Sequence, residues 1–306
     1  MLKRVAAVLL STVALAGCLP FGSAGHPARP ACSAKPPLQK AVVCPTANYF
    51  GFALKGNLKT LGPLTNLETV IGRRTTIGEY YAAFGEPLRT SDLIDLHAHH
   101  VLPLIVWEPF HARVQDIASG HSDRYLGKWA TGLAALGFPV VLDFGHEFNG
   151  AWYPWGRTHE TPAEFTAAFQ HVHDVLTKKG AVNIIWMWRP TAALHQLPLA
   201  PWYPGDEYVT WVGLAGYYGD QYDRTFDKVF GPIIQNIRSF TNRPLLIAET
   251  GAPQGPLQAD QVKDMLGAVW ARPDVLGLIY FNMNTKRNWA LDPDALRAFK
   301  QGLAAG

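Results

Sequence analysis

Leu102-Pro103-Leu104-Ile105-Val106-Trp107 and Leu245-Leu246-Ile247-Ala248 are uninterrupted apolar runs of six and four residues. A strand apolar at every position must be buried on both faces, as in a parallel sheet covered by helices; a half-exposed strand would alternate. Working outward from these two, β-rich runs recur at 49–54, 76–82, 102–107, 139–144, 183–188, 209–217, 244–248 and 275–281. Amphipathic stretches at 63–71, 91–100, 122–136, 162–179, 226–240, 259–271 and 293–303 are expected to be helices. Thr161-Pro162-Ala163-Glu164 carries a good start signal, with Thr at the N-cap, Pro in the first turn and an acid near the positive helix end. The Pro-rich connection 189–208 gives the weakest helical pattern. Eight βα units in about 255 residues match a single-domain (β/α)8 barrel, an α/β fold. A doubly wound sheet would want a Gly-rich phosphate loop after its first strand, and Gly51-Phe52-Ala53-Leu54-Lys55-Gly56 does not supply one.

Composition narrows the function. Of 306 residues, 48% are hydrophobic, which excludes global disorder because there is ample apolar surface to offset chain entropy. The formal net charge of +3 falls to +1 without Lys3 and Arg4, which lie in a segment expected to be removed. That is no electrostatic footprint for nucleic acid. Three cysteines are too few for a disulfide scaffold or a cysteine-rich zinc module. Ten Trp and eleven Tyr instead favour a wall for flat, partly apolar ligands.

The N-terminus reads as an address. Lys3 and Arg4 precede the uncharged apolar run 5–16, too short to span a bilayer and the length of a signal-peptide core. Leu15-Ala16-Gly17-Cys18 resembles a bacterial lipoprotein signal, in which Cys18 would be lipidated and anchor the protein on the outer face of the cell membrane. An ordinary secretory signal is the alternative, and both export the chain. We therefore expect a signal peptide at 1–17, a Pro/Gly/Ala-rich tether at 18–45 and the barrel at 46–306. Export permits a disulfide between Cys32 and Cys44, with two free thiols as the alternative.

In such barrels the chemistry sits at the carboxyl ends of the strands. After the fourth run comes Gly145-His146-Glu147-Phe148-Asn149-Gly150-Ala151-Trp152-Tyr153-Pro154-Trp155, and after the seventh Glu249-Thr250-Gly251. Hydrolysis of a glycosidic bond needs a proton donor for the departing oxygen and a carboxylate to meet the oxocarbenium-like centre. A pair about 5–5.5 Å apart lets the second carboxylate attack directly, with retention of configuration. A lone Glu in a loop would be a surface charge; two at matching barrel positions, one among His, Asn and three aromatics, point to chemistry.

His146-Glu147-Phe148-Asn149-Gly150 with Trp152 and Trp155 resembles the acid/base motif of glycoside hydrolase family 26, a clan A family of mainly endo-β-1,4-mannanases with some lichenases and β-1,3-xylanases. Glu249-Thr250-Gly251 is similar to its nucleophile segment, and Trp107-Glu108-Pro109 and 282–289 also resemble it, so the likeness covers about 49–299. It implies Glu147 as acid/base, Glu249 as nucleophile, His146 as a hydrogen-bonding group beside the attacked sugar, Trp152 as sugar wall and Tyr217 as holder of the nucleophile. Tyr218 is the alternative to Tyr217. Trp107, Trp152, Trp155 and Trp188 are candidate stacking platforms, and Arg189 and Asn282 candidate site residues; Trp186 and Trp211, inside strands, are expected in the core. In two places the sequence departs from the family pattern. Asp143 stands where the family has an Arg, and Arg189 on the next strand is its expected partner, since an unpaired buried carboxylate would be costly. Tyr280-Phe281 stands where the family carries a Trp.

Asp95-Leu96-His97-Ala98-His99-His100 suggests a metal cluster, but it is predicted helical and at the barrel's lower end, so a solvated helix face is the expectation. His171 and His173 lie on a helix and are expected in solvent. Gly150 occupies the place of a zinc protease's second His, and no Gly-x-Ser-x-Gly elbow occurs. The expectation is a monomeric, exported, retaining endo-glycosidase acting on β-linked polysaccharide without metal or cofactor. Mannan leads, mixed-linkage glucan or β-xylan follows, and transglycosylation would share the covalent intermediate. A surface carbohydrate-binding protein without turnover is the rival of another class.

Overall fold

The computed structural model describes Cys32, Ala34 and residues 36–305 except Asn57 and Lys59. The expected signal segment and Cys18 lie outside the described residues. After a short helix α1 (Lys40–Val43), the chain alternates β1 (Tyr49–Ala53), α2 (Gly62–Ile71), β2 (Ile77–Ala83), α3 (Thr90–Ala98) and β3 (Leu102–Glu108). It continues through α4 (Val114–Ala118), α5 (Asp123–Leu136), β4 (Val140–Phe144), α6 (Pro162–Lys178), β5 (Ile184–Trp188) and β6 (Trp211–Tyr217). The remainder is α7 (Phe226–Val229), α8 (Gly231–Arg238), β7 (Leu245–Gly251), α9 (Gln258–Ala271), β8 (Val275–Phe281) and α10 (Pro293–Ala305). All eight strands pair in parallel and in sequence order, and β1 closes on β8, giving the (β/α)8 barrel.

Two local expectations change. The single helix expected at 226–240 breaks at Phe230 into α7 and α8, because Pro232 lacks the amide donor a helix interior needs and restarts the helix at its first turn. The Pro-rich stretch 189–208 forms two 3-10 turns, Ala192–Leu194 and Ala200–Trp202, in place of an α-helix. The start of α6 follows its sequence signal: Thr161 Oγ1 accepts from the Glu164 amide at 3.3 Å, and the Glu164 carboxylate accepts from the Thr161 amide at 2.8 Å.

The barrel interior is divided along its axis. Leu102, Leu104, Val141, Ile185, Trp211, Leu246 and Leu276 fill the lower and middle layers. From below, α1 closes the barrel: Val43 is buried, its carbonyl accepts from Trp211 Nε1 at 2.9 Å, and the Val42 carbonyl accepts from Tyr49 Oη at 2.8 Å. Cys32 and Cys44 are disulfide-bonded beside this plug. The end of the Pro-rich stretch is therefore part of the barrel floor, and the domain begins before residue 46. A second apolar layer, between strands and helices, holds Trp107, Trp129, Phe144, Phe169 and Trp188. Burying both layers is the main stabilising term of the fold.

The strand seams on either side of β1 are tight, and the one with β8 shows it. Gly277 pairs with Tyr49, has φ 150°, and a Cβ there would lie 1.9 Å from the Tyr49 carbonyl oxygen. We predict that Gly277→Ala lowers the unfolding free energy by at least about 2 kcal/mol, seen as a lower urea midpoint. Gly267→Ala, on α9 with nothing within 4 Å of the new methyl, should leave the midpoint unchanged or raise it.

Candidate active site

Above the apolar plug, the inward positions turn polar. Glu79 and Tyr81 come from β2, Glu108 from β3, Asp143 from β4, Arg189 from just beyond β5, Tyr217 from β6 and Glu249 from β7. Space for them comes from small inward residues: a Cβ on Gly213 would lie 2.6 Å from Met187 Sδ and 3.0 Å from Arg189 Cβ.

Arg189 is the centre of this group. Its Nε lies 2.6 Å from Asp143 Oδ2, and its Nη1 lies 2.8 Å from Glu79 Oε1 and 3.4 Å from Glu249 Oε2. The side chains of Arg189, Asp143 and Glu79 are wholly buried. Three carboxyl groups around one guanidinium cannot all be ionised in a dry interior. Burial pushes Glu79 up to about 8 and Asp143 up to about 7, against the opposing pull of Arg189. Burial alone would lower Arg189, but Asp143, Glu79 and Glu249 outweigh it and hold the guanidinium charged.

Glu249 reaches the mouth through a bulge. On β7, Ile247 pairs with Leu214 but Glu249 with Ala215, so Ala248 is skipped and the register shifts. Ala248 joins the interior core, and the bulge turns the next residue, Glu249, inward as well. Its carboxylate accepts from Tyr217 Oη through Oε1 and from Tyr81 Oη through Oε2 at 2.9 Å. With Arg189 these are donors suited to an acceptor-only carboxylate. Tyr217 and Tyr81 are themselves held well above the ordinary tyrosine range by burial and then by the charge of Glu249, so they remain O–H donors.

Glu147 is placed by a turn. The chain leaves β4 at Phe144, Gly145 takes φ 64° and Glu147 φ 52°, the left-handed region that a Glu rarely occupies. Backbone strain there is held by neighbours. The Glu147 amide donates to the Arg189 carbonyl at 2.7 Å, and Asn149 forms a two-way bond with the Thr191 backbone at 2.8 and 2.9 Å. Trp155 Nε1 donates to the His146 carbonyl at 2.7 Å. Burial, then the charge of Glu249, pushes the Glu147 carboxyl up to about 7, while Trp152 Nε1, donating to Oε2 at 2.8 Å, pulls the other way. His146 is buried with Nε2 3.1 Å from Tyr153 Oη, and burial, aided by Arg189, keeps the ring neutral.

The tryptophans divide by strand parity. Trp107 faces the helices, stacked on Trp129 at 4.0 Å, and Trp188 packs against Phe148 at 4.9 Å with Nε1 donating to the Trp202 carbonyl. Neither can serve as a sugar platform, because each points out of the barrel beside an inward neighbour, Glu108 or Arg189. Trp155 is buried and stacks on Tyr153 at 4.4 Å, bracing the wall from behind. Of the four candidate platforms only Trp152 is exposed, at 51%. Trp186 and Trp211 are buried in the core. Tyr218 turns away to donate to Asp264 at 2.8 Å, leaving Tyr217 as the hydroxyl of this pair that donates to Glu249. Asn282 accepts from the Leu291 amide at 2.8 Å and ties the last loop, so it serves the scaffold.

Four groups at the mouth had no role assigned from the sequence: Glu79 and Tyr81, and, within stretches already singled out, Tyr153 and Trp289. The first two sit on a strand with no motif, and only inward parity could have marked them. Trp289 packs on Tyr217 at 4.5 Å and supplies an indole from the loop after β8. Of the two residues where a Trp was expected, Tyr280 is buried on the helix side, its hydroxyl bonded to Ala252 and Trp289 backbone, while Phe281 faces Tyr217 at 5.9 Å. The histidine run is at the lower end: His99 Nε2 lies 2.8 Å from Glu68 Oε2 and His97 stacks on Phe138. His171 lies 2.6 Å from Asp123, and His173 packs on Trp186 at 4.9 Å. Among the described residues no group of three or more His, Cys, Asp or Glu could hold a metal ion.

Two carboxyls on the lips of strands four and seven of a closed parallel barrel define the frame of a clan A glycoside hydrolase. The sequence profile of glycosyl hydrolase family 26 matches residues 121–289, and the chain belongs to this family. It is 30% identical to endoglucanase H of Acetivibrio thermocellus over 66% of this chain and 24% of that protein. It is 32% identical to the β-1,3-xylanase TXYA of Vibrio sp. over 51% of this chain and 33% of that one. With a mannan endo-1,4-β-mannosidase of Bacillus subtilis strain 168 the identity is 33%, over 41% and 35%. The chain thus spans about a quarter to a third of the lengths of these curated relatives. The GH26 endo-β-1,4-mannanase catalytic domain of Bacillus sp. JAMB-750 superposes with TM-score 0.68 at 16% identity, covering 86% of this chain and 87% of that one. A modular endo-β-1,4-mannanase from Cellulomonas fimi gives 0.67 at 18%, covering 84% and 70%. At those identities the likeness is one of fold.

Arg189 makes one of these contacts separable from catalysis. We predict that Asp143→Ala costs about 3 kcal/mol of stability, the scale for removing one partner of a buried ion pair. Urea unfolding at pH 7 checks this; a loss under about 1 kcal/mol would show that Glu79 and Glu249 suffice to hold Arg189.

Proposed function

We propose that the chain is a retaining, endo-acting glycosidase that cleaves β-1,4-mannan by double displacement. The observation that carries this reading is the pair Glu147 and Glu249: one carboxyl raised toward neutrality by burial and its neighbour's charge, the other met by three donors. Glu249 attacks the anomeric carbon while Glu147 gives its proton to the departing glycosidic oxygen; the C–O bond breaks and a glycosyl ester forms. Glu147, now a base, takes a proton from water as that water attacks the anomeric carbon, and Glu249 leaves. Trp152 and Trp289, half-buried to exposed at the rim, supply flat apolar faces for pyranose rings. His146, neutral, offers a hydrogen bond beside the attacked sugar.

Mannan is supported by the named mannosidase and mannanase relatives. One relative, matched over 223 residues, is an endoglucanase, which favours β-glucan as the second reading. We also propose export with a lipid on Cys18, from Lys3-Arg4, the apolar run 5–16 and Leu15-Ala16-Gly17-Cys18, and a monomeric state.

The test is a screen of the purified chain on mannan, lichenan, β-1,3-xylan and β-1,4-xylan, with Glu249→Ala as control. Mannan should be cut fastest, into mixed oligosaccharides. Turnover on none of them, with oligosaccharide still bound, would make the protein a carbohydrate-binding one. Glu147→Ala should lower polysaccharide turnover about 10²- to 10⁴-fold. Azide should then rescue an aryl glycoside, giving a glycosyl azide of retained configuration.

The pH profile follows from the proton on Glu147. Its acid form is full below about 7 and empties above it, so the rate should fall on the alkaline side of about 7. Trp152→Phe removes a bond that stabilises the ionised form, so the carboxyl should keep its proton longer. The alkaline limb should move to higher pH, and a shift to lower pH would contradict the assignment.

A further inference from the structure

Glu108 is a carboxyl at the mouth that double displacement leaves without a role, and Glu79 and Asp143, the others without one, are taken up by Arg189. It ends β3 on the inward face shared by Leu104 and Val106, between β2, which brings Tyr81, and β4, which leads to His146 and Glu147. Its backbone is fixed, since the Glu108 carbonyl accepts from the Phe84 amide at 2.8 Å and the Phe110 amide at 2.9 Å. Its side chain is another matter. Among the described residues the Glu108 carboxyl makes no hydrogen bond or ion pair, though it is only partly exposed. The groups it feels are Arg189, Glu249, Asp143, Glu86 and, across the wall, Tyr153. A carboxyl held in a half-closed cleft without a partner is costly unless something else supplies one.

We propose that Glu108 is a binding residue for the sugar unit attacked by Glu249, gripping two neighbouring hydroxyls of that ring. This rests on the glycosidase reading above and names a contact within the same site. A carboxyl offers two oxygens in one plane, and a vicinal pair of ring hydroxyls presents two O–H groups at matching separation. Burial, then the charges of Glu249 and Asp143 against the pull of Arg189, pushes Glu108 up to about 7. Near neutrality the group is thus both acceptor and, when protonated, donor, which suits hydroxyls that are both. The residue would select rings whose paired hydroxyls are free and would reject a ring carrying an acyl or glycosyl branch there. Glu147 gives its proton to the oxygen on the other side of the scissile bond, so the two carboxyls act on different sugar units.

The test is calorimetric binding of β-1,4-mannohexaose and of a mixed-linkage glucan hexaose to the full chain carrying Glu249→Ala, which keeps ligand intact. Adding Glu108→Ala should weaken binding of the preferred hexaose about 10- to 100-fold, the scale of a lost charge-assisted contact. Glu108→Gln, with one acceptor and one donor in the same plane, should recover most of that loss. In enzymes with Glu249 intact, Glu108→Ala should raise KM more than it lowers kcat on linear glycan. It should narrow the preference for linear over branched or acetylated chains. Hexaose bound within threefold of the Glu249→Ala parent by the Glu108→Ala chain overturns this proposal alone. A Glu249→Ala parent that binds neither hexaose overturns the glycosidase reading beneath it.

Discussion

One buried guanidinium sets the electrostatics of the barrel mouth. Arg189 is the permanent cation among Glu79, Asp143 and Glu249, and without it the wholly buried Glu79 and Asp143 and the nearly buried Glu249 would be left to repel one another. A lone buried charge costs several kcal/mol even after relaxation, so the carboxyls are tolerable because of Arg189 and Arg189 because of them. The cluster ties β2, β4, β5 and β7 together, four of the eight strands, and it sits directly on the apolar plug. Mechanical closure of the barrel and charge balance at its mouth are thus one problem with one solution. Burial raises Glu79 and Asp143 toward their neutral forms. They let the interior hold fewer negative charges than its formula suggests.

Regular geometry would not have delivered either carboxyl to the mouth. Strict alternation along β7 would turn Glu249 outward after Ala248, and the bulge corrects it by one residue. Glu147 lies beyond the end of β4, aimed by two successive positive-φ residues within three positions. Both departures cost local stability, and both are held by bonds to the strand-five segment or its neighbours: Asn149 to Thr191, the Glu147 amide to Arg189, Arg189 itself to Glu249. The segment after β5, Pro-rich and without an α-helix, is the scaffold for this bracing. Its lack of helix is consistent with that use, because an irregular backbone leaves carbonyls and amides free to bond sideways.

What could be read from the sequence divides along the same line. Continuous apolar runs such as 102–107 identify buried parallel strands because burial on both faces constrains every position, so the barrel and its order were legible. So were the carboxyls on the fourth and seventh lips, since the fold says where to look. Direction was not. Trp107 and Trp188 stand at strand ends beside site residues and point away from them, which is a matter of parity within a twisted, bulged sheet. Tyr81 and Glu79 carry no motif and enter the site only through the pairing of β2 with its neighbours. The Asp143–Arg189 pairing was accessible because an unpartnered charge in a strand demands an opposite one nearby. The third member, Glu79, came from a strand more than a hundred residues away.

The aromatic wall shows how such a site can change specificity while keeping its chemistry. Strand residues are locked by register, by the plug beneath and by the charge cluster, so substitutions there disturb the whole barrel. Trp152 and Trp289, by contrast, stand on loops above the strands, one bonded to Glu147 and the other packed on Tyr217. Where a strand indole was expected on β8, the position holds Tyr280, turned outward into the helix layer, and Phe281, while the loop beyond returns a Trp to the mouth. Phe281 is smaller than an indole and Trp289 comes from a loop, so the shape of the mouth can change by substitution at these two positions while the carboxyl pair and its bracing stay as they are.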